Sequence, residues 1–501
     1  MSQPDSHAAA GAARTPDSSP TAGQALAPRR LGIVAIVFFV VSAAAPLTVV
    51  ASAAPTAFRV GGIGAPGAML FAGVVLTLFA VGFTAMSRYV RNAGAFYAYG
   101  ARGLGKPVGV GIALVTVLSY GFLCVCFYGF IGFFGWLTFQ GLLGLDLPWW
   151  LYALIALAAV GILGYRHIDV GAKVLGVLLT AEVLILLILA VAVLAQGNAM
   201  SLASFTAQNV FFAAGSGALF VFAFGAYLGF EGTAIYTEEA KNPSRTIPVA
   251  TYVAIAFLAV FYGFTFWVLT VAFGVDGVLQ LAMADDFQDM VFQAGDQFVG
   301  AWAAVAMRVL IVTSFFACLL AFHNACSRYL FALGRERLLP RALSQTHPKS
   351  KAPHRASLVL TVLALLAIVV TAVTGGDPFL GFALPTYSIG TAGLVFAQAV
   401  AAISVVGFFV RDRRGHSVWR VIVAPALGAL GLITGFALIA ANFDLVTGLT
   451  GGVNWLLLAP TPVLFIAGIV WALVLKRRYP RHYAELTTYV PDDEPQESRG
   501  A

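Results

Sequence analysis

Along most of this chain, apolar residues do not alternate with polar ones at a strand or helix period; they run on in long blocks separated by short charged loops. A helix rises about 1.5 Å per residue, so roughly 20 apolar residues cross a hydrocarbon core of about 30 Å. Twelve such blocks are read, at 31–57, 63–88, 106–140, 149–165, 174–196, 208–237, 248–274, 300–333, 356–374, 380–410, 419–442 and 452–475. Helices that are apolar on every side belong inside protein or lipid. The pattern therefore predicts an all-α polytopic membrane protein of 12 transmembrane helices, whose even count puts both termini on one side.

Two blocks are interrupted. The first contains SAAAPLTVVASAAP, Ser42 to Pro55, where Pro46 removes a backbone donor and clashes with the preceding turn. The sixth leads into FAFGAYLGFEGTAIYTEEAKNPSRTIP, Phe222 to Pro248: it starts as apolar helix, breaks near Gly225 and the lone carboxylate Glu231, and ends in a charged loop. Backbone groups freed at bilayer depth are tolerated only where they are buried in protein or line a cavity. A pair of interrupted helices in corresponding positions points to inverted repeats with a binding site at the midplane. The repeats would occupy 31–196 and 208–410 within a core of 29–410, and helices 11 and 12 would fill 411–480.

Composition agrees: 60% hydrophobic and 10% charged residues, with a mean hydropathy of +0.89, exclude an ordinary soluble domain, where about 25% are charged. The basic residues then set the orientation. With the N-terminus in the cytoplasm, 27 of the 29 Lys and Arg fall in inner loops or tails, leaving only Arg59 outside and Arg308 within a helix, where it snorkels. The net charge of +7 and pI of 9.3 are thus a topology signal, and no basic patch interleaved with aromatics suggests nucleic acid. The expected location is the cytoplasmic membrane, multi-pass, with the lipid bilayer as partner. Residues 1–28 and 481–501 read as disordered cytoplasmic tails. Cys124, Cys126, Cys318 and Cys326 lie in helices and are expected as free buried thiols. No HExxH, His/Cys cluster or phosphate loop is present, so no metal site, cofactor or enzymatic activity is expected.

Three blocks resemble the amino acid/polyamine/organocation permease superfamily: NAGAFYAYGARGLGKPVG (Asn92–Gly109), GFEGTAIYTEEAKNPSRTIP (Gly229–Pro248), and SRYLFALGRERLLP with HPKSKAPHRA (Ser327–Pro340 and His347–Ala356). The resemblance implies a leucine-transporter-like fold of five plus five inverted repeats with helices 1 and 6 discontinuous, and secondary transport of amino acids or related amines. It places a substrate carboxylate at free N–H groups around Ala44, Ala45, Leu47 and Thr48, at the positive end of a half-helix. The substrate ammonium would meet carbonyls of Phe222, Phe224 and Gly225, with Ala226 and Tyr227 beside the break. Pro46 can donate no N–H, and AAAPLT replaces the Gly-Ser-Gly element common in similar proteins. Some exchangers carry a bulky aromatic where this chain has Gly225, which implies a wider pocket here. Ser119 and Tyr120 on helix 3 match pocket-lining positions of similar proteins.

Glu182 and Glu231 are carboxylates within the blocks, costly there and hence functional candidates. Glu231 is read either as a proton-coupling or gating group or as a brace of helix 6. Glu182 falls where several proton-coupled relatives carry lysine, and is read as a proton carrier, as part of a cation site, or as a paired structural carboxylate. Thr313 and Ser314 lie at the depth where sodium-coupled relatives hold sodium, although such hydroxyls more often bond their own helix. His323 reads as a hydrogen-bonded packing residue, and Glu238 and Glu239 with Lys241 and Arg245 as an inner-loop charge network. The outer segment from Asp276 to Asp296 carries five aspartates and reads as a solvated face or a cation attractor. The leading function is proton-coupled import of an amino acid or amine by alternating access. An exchanger and a sodium symporter are the alternatives, and an integral membrane enzyme is a remote one.

Overall fold

The computed structural model describes residues 31–90, 96–166, 170–235, 240–348, 350, 352–449 and 451–487. Of the expected tails, 1–28 and the 488–501 part of 481–501 lie outside the described residues, as do Glu238, Glu239 and the first part of the Asn92 block. Residues 481–485, expected as disordered tail, are helical, and Leu486 beside them is buried against the bundle. The described chain is helical, with one isolated bridge between Leu31 and Ala240.

Helix α1 (Ile33–Ala44) stops at Ala45, whose φ of 43° and ψ of 79° are left-handed. The break is therefore one residue ahead of Pro46, which becomes the first residue of α2 (Pro46–Thr48), where its missing donor costs nothing. The chain continues through a wide π turn at Val49–Ala53 into α3 (Ala54–Gly61). It reverses at Gly62–Gly64 and runs back as α4 (Ala65–Met86). Then follow α5 (Phe96–Gly103), α6 (Lys106–Leu143), α7 (Trp149–Arg166) and α8 (Val170–Ala195). The second interrupted element is α9 (Leu219–Gly225) and α10 (Gly232–Ile235). Between them the backbone coils in tight turns, Tyr227 N–H to Phe224 O (3.2 Å) and Leu228 N–H to Gly225 O (3.1 Å). The break begins at Gly225, where the sequence places it.

The remaining elements are α11 (Pro243–Met283, broken at Gly274 with φ 72°), α12 (Met290–Phe298), α13 (Ala301–Arg335) and α14 (His354–Val373). They continue with α15 (Leu384–Arg411), α16 (Ala424–Ala441), α17 (Phe443–Thr447), α18 (Gly452–Leu458), α19 (Pro460–Arg478) and α20 (Pro480–Glu485). Nine helical runs among the described residues are long and apolar enough to cross a membrane, and Trp149–Gly164 and Ser216–Gly225 are shorter apolar helices. Large apolar side chains stand bare on the outside, such as Val373 (82% exposed) and Leu456 (72%). Lipid, not water, suits a surface of that kind.

Helix α6 is central and packs on α5, α7, α13, α15 and α19, while α4 lies along α11 and α16. Small residues permit these approaches: Gly103 on α5 faces the Ser404 carbonyl so closely that a Cβ would overlap it, and Gly468 on α19 meets the Gly111 backbone. The four cysteines are buried and form no disulfide, and His323 is hydrogen-bonded to Ser357 (2.7 Å). Arg308 does not snorkel; it pairs with Asp289 at 2.8 Å and lies over the Phe292 ring. Arg59 on α3 donates to the Ala282 and Ala284 carbonyls, both at 3.1 Å, tying the acidic segment to the end of the first broken helix. At the opposite end, Lys106 donates to the Tyr483 and Ala484 carbonyls, and the buried Leu486 packs with Tyr97, Tyr329 and Leu333.

Candidate functional site

A narrow, partly open cavity lies between the two broken helices. Ala44, Thr48, Ser52 and Thr56 supply one wall from α1, α2, the π turn and α3. The hydroxyls recur every four residues, so they share one helix face. Each donates back to a carbonyl of the preceding turn, Thr48 to Ala45, Ser52 to Thr48 (2.6 Å) and Thr56 to Ser52 (2.8 Å), and keeps acceptor capacity for the cavity. Phe222, Gly225 and Leu228 come from the second broken helix. Rings of α6, α13 and α15, together with Phe379 just before α15, close the rest.

The backbone at the first break is largely used. Ala45 N–H donates to Val41 O at 2.9 Å, Tyr262 donates its hydroxyl to Ala44 O at 2.9 Å, and Leu47 N–H faces the Glu182 carboxylate. Thr48 stands in the first turn of the new helical segment, which begins at Pro46. At the second break Phe222 O accepts from Ala226 N–H (2.8 Å), and the Phe224 and Gly225 carbonyls accept from the following turn. Each keeps one lone pair, so their capacity for a cation is halved relative to wholly free groups.

Both candidate carboxylates are buried, Glu182 at 2% and Glu231 at 1% exposure. Glu182, on α8, accepts from the Ser314 hydroxyl of α13 at 2.7 Å and lies against the first turn after the break, so its carboxylate sits where α8, α13 and α2 meet. Glu231 accepts from the Tyr120 hydroxyl at 2.9 Å and from Gly229 N–H at 3.1 Å, joining α6 to the coil between α9 and α10. Thr313 bonds its own helix at Leu310 O (2.8 Å), whereas its neighbour Ser314 is taken up by Glu182.

Of the residues singled out from sequence, Ala44, Thr48, Phe222 and Gly225 line the cavity. Ala45, Pro46 and Leu47 form the break behind it. Ser119 bonds Val115 O, Tyr227 bonds Met69 O, Tyr120 holds Glu231, and Phe224 packs against Gly435; these and Ala226 are buried outside the lining. Ser52, Thr56, Phe127, Phe130, Phe315, Phe322, Phe379 and Tyr387 line it without having been singled out. The four-residue hydroxyl repeat was a usable signal; the rings sit in helices apolar all round, where periodicity marks no face.

The wider pocket expected from Gly225 is not there. The Tyr387 hydroxyl occupies the space a Cβ at 225 would need, and its ring stacks on Phe222 (6.4 Å between centroids, 21°). An aromatic does stand at that wall, supplied by α15.

The amino acid permease family model matches residues 35–483. The chain belongs to the amino acid permease family. The permease is 29% identical to the branched-chain amino acid permease BcaP of Bacillus subtilis over 148 residues, 29% of this chain and 30% of that protein. It is 31% identical to the methylthioribose transporter of the same organism over 141 residues, 28% of this chain and 29% of that one. A longer match, 22% identical over 422 residues, covers 82% of the permease and 84% of the low-affinity putrescine importer PlaP of Escherichia coli. The chain thus spans about three tenths of the length of the first two relatives.

Proposed function

We propose that the permease is a secondary transporter that imports an amino acid or related amine by alternating access, driven by protons, with Glu182 carrying the coupling proton. The observation behind this is the buried Glu182 carboxylate held between Ser314 and the first turn after the Ala45 break. An ionised carboxylate can only accept, from the Ser314 hydroxyl and the facing Leu47 N–H; a protonated one must donate at one oxygen. Proton gain or loss therefore changes the tie between α13 and the broken helix, a two-state link that substrate and proton can both bias. The substrate carboxylate would take Thr48 N–H at the positive end of the segment beginning at Pro46. Its ammonium would take the remaining lone pairs of the Phe222 and Gly225 carbonyls.

In this reading, the run Ile33–Met86 crosses twice, bent at Ala45 and reversed at Gly62–Gly64. With Trp149–Gly164 and the interrupted second helix, this brings the crossings to the expected 12. Repeats of five plus five crossings at 31–196 and 208–410, an appendix at 411–480 and two cytoplasmic termini in the cytoplasmic membrane complete the arrangement, supported by the distribution of Lys and Arg.

In proteoliposomes, Glu182→Gln is expected to abolish accumulation driven by a pH gradient while leaving exchange of substrate across the membrane intact. Normal accumulation by that variant at every pH removes Glu182 from coupling. A second reading, import of an amine in place of an amino acid, draws on the similarity to a putrescine importer over 82% of the chain.

A further inference from the structure

We infer that the cavity selects solutes with one ammonium group and an uncharged, apolar side chain, and that Tyr387, seated over Gly225, sets the size of side chain admitted. The inference rests on the importer reading and specifies its substrate class.

The lining divides chemically. Its hydroxyls come from one helix face, Thr48, Ser52 and Thr56, beside the Ala45 break, whereas α6, α13 and α15 contribute rings. A solute with both charges at the breaks therefore extends its side chain among aromatic faces. No charged side chain lines the cavity among the described residues. Glu182 and Glu231 are the nearby carboxylates, and both are engaged behind the wall, with Ser314 and Leu47 in one case and Tyr120 and Gly229 in the other. A second ammonium, on a diamine or a basic side chain, would be stripped of water there without a carboxylate partner, which is strongly unfavourable.

Size is set at one wall. The Tyr387 ring stacks on Phe222 and meets Phe130 edge-on (6.2 Å, 73°), so its position is fixed from two sides. It remains half-buried because its free edge faces the cavity, and its hydroxyl fills the space next to Gly225. Any residue larger than glycine at 225 collides with the Tyr387 hydroxyl and forces that ring from its place in the cavity wall. The two positions act as one gauge, with glycine on α9 permitting the tyrosine on α15.

The test is competition for uptake in proteoliposomes among valine, leucine, phenylalanine, tryptophan, lysine and putrescine, with each variant first checked for a monodisperse, cooperatively unfolding protein. The wild type is expected to prefer an apolar amino acid over lysine and putrescine by on the order of 100-fold. Tyr387→Ala should raise tryptophan relative to valine by roughly 10-fold. Gly225→Ala should abolish uptake, and Gly225→Ala combined with Tyr387→Ala should restore it. If Gly225→Ala does not fold, Tyr387→Ala alone decides the gauge. Equal competition by lysine or putrescine overturns the selectivity while leaving import intact. An unchanged tryptophan-to-valine ratio in folded Tyr387→Ala overturns the role of Tyr387. Transport of none of the panel by folded wild type instead overturns the importer reading itself.

Discussion

The Tyr120 hydroxyl and Glu231 can be separated by a double-mutant cycle, which measures how firmly the second broken helix is braced. The hydroxyl donates to the carboxylate at 2.9 Å, and both residues are 1% exposed, so water does not replace the bond when it is removed. A typical net hydrogen bond contributes about 0.5–1.5 kcal/mol, and one to a charged group about 1.5–3 kcal/mol. Hydrogen bonds between membrane helices have measured lower, about 0.6 kcal/mol on average and about 1.7 at most, because the unfolded chain in a bilayer also finds partners. Glu231 keeps its second bond, from Gly229 N–H, so the loss is confined to one oxygen. The coupling between Tyr120→Phe and Glu231→Met is therefore expected toward the upper end of that range, at about 1–1.7 kcal/mol. Unfolding in a graded detergent titration can be followed by a thiol-reactive dye, because Cys124, Cys126, Cys318 and Cys326 are all buried in the folded protein. Additivity within about 0.5 kcal/mol would show that the contact braces nothing and would refute this reasoning.

Two further variants probe the backbone. Ala45 holds φ 43°, a conformation costing an L-residue about 1–2 kcal/mol, so Ala45→Gly should be neutral or stabilising in the same titration and Ala45→Val destabilising by about 2 kcal/mol. Gly103→Ala should cost about 1–3 kcal/mol by forcing α5 off the Ser404 carbonyl of α15, read as a lower unfolding midpoint with unchanged slope.

Long apolar blocks and the clustering of Lys and Arg between them carried most of the helix boundaries, because hydrocarbon thickness imposes length and charge is costly within it. The interruption at Gly225 was legible for the same reason: glycine and a carboxylate in an apolar run conflict with a continuous helix. Pro46 pointed to the first break but misplaced it by one residue, since proline fits a helix start and the strain falls on Ala45. Glu182 and Glu231 stood out because charge in lipid is costly, but their partners Ser314 and Tyr120 lie 132 and 111 residues away and only packing reveals them. Tyr387 was not legible at all. It is one of 16 tyrosines in a chain that is 13% aromatic, and its meaning depends on the absence of a side chain at Gly225.

The most direct test of the central claim is uptake of labelled apolar amino acids into proteoliposomes under an imposed pH gradient, and separately under a sodium gradient, with a lumenal pH dye. The account predicts accumulation under the pH gradient alone, accompanied by proton entry and lost in Glu182→Gln. Uptake only after preloading the lumen with a counter-substrate, or only under the sodium gradient, would contradict it.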